Sequence, residues 1–265
     1  MRNWILGIVT MVSMCINCQS QNAKISNGVL ENSNFITATY IPSVGLLYSQ
    51  TGEGDMDMDC TVTAIEKNAD GYVFISAGHC ACEEDQDEKT VTPAKTSFFI
   101  TSDNAENKHF IKAVVTGCGY RHAGDDFAIF QVNTKDTFPV VPLGTDPVVL
   151  EQVANVASPL GLGKQVFLGS VSSSKLERPA IQGDINWTGA ILLQMVGVNG
   201  GSSGSSIVCM DQRAICGFIV GTIGNTNTVA IPVSRLISLR KKLAEGTYKN
   251  WVPDPDSHRV GSEKK

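Results

Sequence analysis

Three short segments hold the residue types of acyl-transfer chemistry. In ISAGHC, Ile75–Cys80, an apolar run delivers His79 at its end, beside a cysteine. Imidazole titrates near neutrality, and a rigid strand end would hold it well as a general base. In DDFAIFQV two acids, Asp125 and Asp126, immediately precede an apolar run. A carboxylate at the edge of a core can orient an imidazole. In GGSSGSS, Gly200–Ser206, serines lie among glycines ahead of another apolar run. Glycine permits a tight turn that exposes a hydroxyl and aims neighbouring N–H groups at one spot, which a developing oxyanion requires. Each segment also has a bland reading: a core histidine bonded to backbone, a strand-capping surface acid, a flexible Gly/Ser linker. Position argues against the last, because the segment lies between two β-like runs rather than between domains.

Residues of this kind need a rigid frame, and the chain supplies short alternating runs. One series comprises Val44–Tyr48, Thr61–Ile65, Tyr72–Ser76, Ser97–Thr101, Phe110–Val115 and Phe127–Val132. A second comprises Gln152–Ala157, Gln165–Val171, Ala190–Val196, Ile207–Met210, Ala214–Val220 and Thr228–Pro232. The Asp70-Gly71 pair is a hairpin signal between two of them. The acidic stretch 82–90 reads as a solvated loop. One helical pattern stands out, Val233–Leu243, with Val233, Leu236, Ile237, Arg240 and Leu243 at spacings of three and four. Two strand series followed by one helix predict an all-β protein of two small antiparallel barrels or a sandwich.

Composition narrows the class. Of 265 residues, 42% are hydrophobic and 18% charged, enough apolar material for a packed interior. The net charge of −5 provides no basic field for a nucleic-acid backbone. Twenty-five glycines against 10 prolines suit a turn-rich β protein, and 8 cysteines suit an oxidising compartment. Arg2 followed by the apolar run Trp4–Met14 has the layout of an export signal. Cys18 resembles the lipid-bearing cysteine of bacterial lipoproteins, with Asn17 as a departure from that pattern. Residues 1–18 are therefore expected to be a leader, 19–38 a linker and 247–265 a disordered tail. Membrane attachment is expected only through a lipidated Cys18. Apart from Cys15 and Cys18, the remaining six cysteines permit fifteen connectivities. His79, Cys80 and Cys82 are spaced like zinc ligands, but no second pair at ligand spacing follows. No metal or cofactor is expected.

The order His, Asp, Ser is where the sequence resembles the chymotrypsin-like (trypsin-fold) serine proteases. ISAGHC resembles that family's T-A-A-H-C segment, Asp126-Phe127-Ala128-Ile129 its D-[apolar]-A-[apolar] segment, and Gly201–Ser205 its G-D-S-G-G with two departures. IPSV and NADGYV are similar to segments of bacterial HtrA-type proteases, and AIPVSRL resembles the family's final strand and helix. The resemblance covers roughly residues 40 to 245. It implies two packed six-stranded antiparallel β-barrels, at about 39–140 and 141–232, with a C-terminal helix at 233–246. It also implies a peptide-bond hydrolase acting on peptides or proteins. Ser203 would be the nucleophile, His79 the base, and Asp126, rather than Asp125, its orienting acid. The N–H groups of Gly201 and Ser203 would form the oxyanion hole, and Val220, Gly221 and Thr222 the edge that pairs with substrate. Ser202 replaces the aspartate that receives a newly cut N-terminus in zymogens, so no such activation is expected. Gly197 stands where the trypsin subclass carries an aspartate, so a preference for Arg or Lys is not implied.

The resemblance also implies a Cys60–Cys80 disulfide, and the hairpin between these residues would bring them together. Cys209 and Cys216 flank a turn on adjacent strands, and Cys82 with Cys118 remains by elimination. Two other classes fit parts of the pattern: an inactive protease-fold binding module and a cysteine-stapled adhesion sandwich. Fluorophosphonate labelling of Ser203 separates an enzyme from both.

Overall fold

The computed structural model describes residues 28–50, 56–101, 109–177, 187–224 and 226–253. The chain divides into two compact units, Met1–Ala38 and Thr39–Lys265. In the first, residues 28–35 are helical, where the sequence reads as an aperiodic linker. Val29 and Leu30 are exposed there. The leader and Cys18 lie outside the described residues.

The second unit contains two closed barrels. The strands are β1 (Val44–Gln50), β2 (Met56–Asn68), β3 (Gly71–Ser76), β4 (Cys82–Asp85), β5 (Thr90–Pro93), β6 (Ser97–Thr101), β7 (Ile111–Cys118) and β8 (Ala128–Val132). They continue as β9 (Gln152–Ala157), β10 (Gln165–Ser173), β11 (Ile191–Gln194), β12 (Ser206–Cys209), β13 (Ala214–Ile223) and β14 (Asn227–Pro232). The first barrel closes in the order β1-β2-β3-β8-β7-β6 and the second in the order β10-β11-β14-β13-β12-β9. Every strand pairing is antiparallel.

Inward-facing apolar residues fill each barrel. Phe74 packs edge-on against Phe138, and Phe98 against Phe130, inside the first. Val171, Ile191, Leu193, Ile207 and Ile219 fill the second. The turn between β2 and β3 places Ala69 and Asp70 at its tip, with Asn68 Oδ1 accepting the Asp70 N–H at 3.0 Å. Gly71 opens β3 at φ +119°, and a Cβ there would stand 2.1 Å from the Val132 carbonyl oxygen. The hairpin signal therefore marks the strand start rather than the turn centre.

Three features depart from the sequence reading. The acidic stretch after Cys82 is a hairpin, with β4 and β5 paired from Cys82–Pro93 to Asp85–Thr90. Its alternation is masked because β4 carries acids on both faces, Glu83 and Asp85 outward and Glu84 beside Val91. The start of the supposed tail is fixed: Val91 donates to the Asn250 carbonyl at 2.8 Å, Val252 donates back to Val91 at 3.0 Å, and Trp251 packs on the first barrel's core. Polar neighbours hide this anchor in the composition. In the helix Val233–Ala244 the buried residues are Val233, Leu236 and Leu239, while Ile237 is 46% exposed. Val233 and Leu236 are thus buried as the sequence reads them, and beyond them the stripe continues at a spacing of three to Leu239 instead of passing through Ile237 and Arg240.

Three disulfides staple the unit: Cys60–Cys80, Cys82–Cys118 and Cys209–Cys216, with Cα separations of 6.3, 6.2 and 5.8 Å. These are the pairs read from the sequence. Cys209 does not sit opposite Cys216 in register but opposite Ala214, and Cys216 occupies the irregularity between the Ile207 and Val208 pairs. Closing the Cys60–Cys80 loop stabilises the fold by about 3 kcal/mol in the chain-entropy account. Three disulfides fit an oxidising, extracellular-type environment. Among the described residues no helix is long and apolar enough to cross a membrane.

Candidate active site

Strand β3 ends at Ser76, and the chain tightens at once into a 3₁₀ turn, Gly78–Cys80. Gly78 is required by proximity: a Cβ would lie 2.9 Å from Asp126 Oδ1 and 3.0 Å from the Phe127 nitrogen. Asp126 lies two residues before β8, the neighbour of β3, so the two strand ends bring acid and histidine together. Asp126 is 2% exposed. Its Oδ1 accepts the His79 backbone N–H at 2.8 Å, and its Oδ2 lies 2.8 Å from His79 Nδ1. A carboxylate at Nδ1 places the ring proton there and leaves Nε2 as the basic nitrogen. Cys80, the next residue, is held by its disulfide to Cys60. These two sulfurs and His79 form a metal-like cluster, but disulfide sulfurs are not thiolate ligands.

Burial alone would raise the Asp126 carboxyl. The facing His79 charge and hydrogen bonds, with the Arg121 guanidinium beside it, outweigh burial and hold it below its ordinary value. A group with a depressed folded-state value contributes stability above its unfolded value, and this is lost as pH falls through the folded one. Wild-type protein is therefore expected to lose melting temperature below about pH 4 more steeply than Asp126→Asn does. Thermal melts across pH 2 to 6 measure the difference, and parallel curves would contradict it. Asp125 faces elsewhere, with the Tyr248 hydroxyl 3.2 Å from its Oδ2. Burial pushes its carboxyl up.

The serine loop comes from the second barrel and is tied to the first. Gly204, at φ +81°, packs so closely that a Cβ would stand 2.1 Å from Ser76 Oγ and 2.5 Å from the Ala77 nitrogen. Thr61 N–H donates to the Ser203 carbonyl at 3.0 Å, and Thr61 Oγ1 to the Gly201 carbonyl at 2.8 Å. Ser203 is thus fastened beside the strand end that leads into His79. Two further carbonyls of the loop are engaged: Gly200 by Leu160 N–H at 2.7 Å, and Ser202 by Ser205 N–H and Oγ at 3.1 and 2.6 Å. The N–H groups of Gly201 and Ser203 carry no hydrogen bond among the described residues. Gly201, at φ +89°, approaches the Ser158 carbonyl, which a Cβ would meet at 2.6 Å.

Beneath the loop lies a polar network that the motifs do not announce. Asn155 Nδ2 donates to Ser205 Oγ at 2.8 Å and to the Ser206 carbonyl at 2.7 Å. The Tyr40 hydroxyl also donates to the Ser206 carbonyl and accepts from Val156 N–H at 3.2 Å. Tyr40 is fully buried, and that burial raises its phenol well above the ordinary range. Ser202 is buried, and its Oγ accepts from Asn199 N–H at 3.3 Å.

Val220, Gly221 and Thr222 lie on β13. Pairing with β12 stops at Ser206–Phe218, and Ile219 bonds back to Gly204 and Ser205, so the next three residues lack a β12 partner. Gly197, at φ +93°, faces the Phe167 ring, 2.7 Å from where a Cβ would stand.

Two closed six-stranded antiparallel barrels, with a histidine–aspartate pair from one and a glycine-flanked serine from the other, define the chymotrypsin-like class. The trypsin-like peptidase domain matches residues 61–217, and the chain belongs to that family of serine endopeptidases. Among solved structures, Rv3671c from M. tuberculosis in an inactive form is similar with a TM-score of 0.58 at 16% identity, over 80% of this chain and 90% of that one. The serine endoprotease from Yersinia pestis gives 0.57 at 16% identity, over 81% and 66%. The HtrA-type protease AlgW with a tripeptide gives 0.61 at 16% identity, over 81% and 64%. No curated protein matches the sequence.

Proposed function

We propose that the chain is an exported serine endopeptidase in which Ser203 is the nucleophile, His79 the general base and Asp126 the group that orients it. The observation that carries this reading is the paired contact of Asp126 with the His79 backbone and ring, beside a loop that holds Ser203 against the same strand end. Ser203 Oγ attacks the scissile carbonyl while His79 Nε2 takes its proton. The new C–O bond leaves charge on the carbonyl oxygen, which the Gly201 and Ser203 N–H groups receive. His79 then gives the proton to the departing amine as the C–N bond breaks. Water repeats the sequence on the acyl-enzyme. Substrate backbone adds to the unpaired side of β13 at Val220, Gly221 and Thr222. The test is a fluorophosphonate probe: wild-type protein is labelled on Ser203 and Ser203→Ala is not. An unlabelled wild type overturns the reading.

The same reading needs no cleavage to build the site. Ser202 supplies no carboxylate for a new N-terminus, and its hydroxyl closes a local turn instead. Tyr40 and Asn155 brace the loop from below in the uncut chain. Protein beginning anywhere before Phe35, with a blocked or extended N-terminus, is expected to match the trimmed form in fluorophosphonate labelling rate. Strict dependence on one cut that frees an Ile or Val amine would defeat this expectation. Export rests on the three disulfides together with the leader-like N-terminus.

A further inference from the structure

Beside the His79–Asp126 pair, a cation stands against the carboxylate. Arg121 Nε lies 3.5 Å from Asp126 Oδ2, the same oxygen that faces His79 Nδ1 at 2.8 Å. The Arg121 Nε atom is buried and makes no hydrogen bond among the described residues. At that distance the contact is Coulombic rather than a hydrogen bond. The Asp126 side chain is 3% exposed and that of Arg121 30%, so water screens the pair weakly at the carboxylate end.

The placement of Arg121 is built in. It opens the 3₁₀ turn Arg121–Ala123, whose end is closed by Gly124 at φ +85°. Glu84, on the β4–β5 hairpin, accepts the Arg121 backbone N–H and lies 2.6 Å from His122 Nδ1. The Cys82–Cys118 disulfide fastens that hairpin to the strand leading into the turn. From the other side, Arg235 of the C-terminal helix donates to the Gly124 carbonyl at 2.6 Å. Hairpin and helix thus hold the turn between them.

We propose that Arg121 is a positioning residue: its guanidinium shares the Asp126 carboxylate with His79 and sets where on the pH scale the imidazole is free to act as base. The inference rests on the triad assignment above. With His79 neutral, Asp126 and Arg121 form a balanced pair. When His79 takes the Ser203 proton, the group carries one carboxylate and two cations. Arg121 therefore opposes the imidazolium, keeps the ring unprotonated to lower pH, and holds Asp126 ionised despite its burial. The other charged groups around the turn are Glu84 and His122, which face each other, Asp125, which turns to Tyr248, and Arg235, spent on carbonyls. Among these, Arg121 is the cation that meets Asp126 itself.

The readout is the rate of fluorophosphonate inactivation against pH, which needs no knowledge of the natural substrate. Arg121→Gln and Arg121→Met are expected to move the acid limb upward by on the order of half to one pH unit. Arg121→Lys, which keeps the charge, returns it most of the way. An unmoved or downward-shifted limb in the neutral variants overturns the proposal. So does a Lys variant displaced as far as the neutral ones, which would assign the effect to packing. Loss of folding in both neutral variants would assign Arg121 to folding and also overturn it. Ser203 labelling at pH 8 separates the two levels. An unlabelled wild type defeats the nucleophile assignment, whereas a labelled protein with an unmoved limb defeats the role of Arg121 alone.

Discussion

Ser203→Ala and His79→Ala are each expected to lower kcat against a cleavable peptide by about 10⁶-fold, leaving the residual rate that oxyanion donors and binding alone provide. The double variant should fall little further, because nucleophile and base act as one unit. Neither change disturbs the frame. Ser203 is held through its carbonyl by Thr61, and His79 through its backbone N–H by Asp126, and these bonds survive loss of the side chains. Melting temperatures should therefore stay near wild type, with His79→Ala losing more, since it leaves one oxygen of a buried carboxylate without its ring partner. The rate of the wild type should rise with pH through the near-neutral limb expected of a histidine base. His79→Ala retaining a tenth of the wild-type rate, or a profile flat from pH 5 to 8, would sink the assignment.

How much of this was legible in the sequence depends on the range of the interaction. The twelve barrel strands show themselves through alternation, which is local. Of the cysteine pairs, Cys209–Cys216 was legible from a local turn, Cys60–Cys80 from the resemblance with its intervening hairpin, and Cys82–Cys118 by elimination alone. The choice between Asp125 and Asp126 was legible only through the resemblance. In the structure it comes down to one residue step at a tight turn, closed by the Phe127 N–H on the Asp125 carbonyl at 2.8 Å, which points one carboxylate to His79 and the other to Tyr248. Tyr40, Asn155 and Arg121 carry no motif. Tyr40 meets Ser206 across 166 positions and Asn155 meets Ser205 across 50, so their roles exist only once these distant parts of the chain have come together. The hairpin of β4 and β5 was missed for another reason. Five of the seven residues from Cys82 to Glu88 are Glu or Asp, and their charge obscures the strand period. Val91, anchored by the Asn250 carbonyl, is the apolar exception that gives the hairpin a buried side.

Gly204→Ala is expected to cost about 3 to 5 kcal/mol and to lower the melting temperature by on the order of 10 °C. Two independent terms combine. At φ +81° an alanine stands in the left-handed region, at roughly 1–2 kcal/mol. Its Cβ would also lie 2.1 Å from Ser76 Oγ, 2.5 Å from the Ala77 nitrogen and 2.6 Å from the Thr61 carbonyl oxygen. Two of these atoms are backbone, and Ser76 Oγ is itself committed to the Thr61 carbonyl at 2.9 Å, so none can yield cheaply. The only relief is to move the serine loop away from the first barrel. That stretches the Thr61–Ser203 bond at 3.0 Å and carries Ser203 away from the strand end that leads into His79. Activity should therefore fall together with stability, even at temperatures where the variant remains folded. Gly200→Ala is the internal control: a Cβ there meets nothing within 4 Å, so its melting temperature should shift by no more than about 2 °C. Equal melting of the two variants would show that the close approach at Gly204 does not hold the loop, and the account of how Ser203 is brought to the strand end would fail with it.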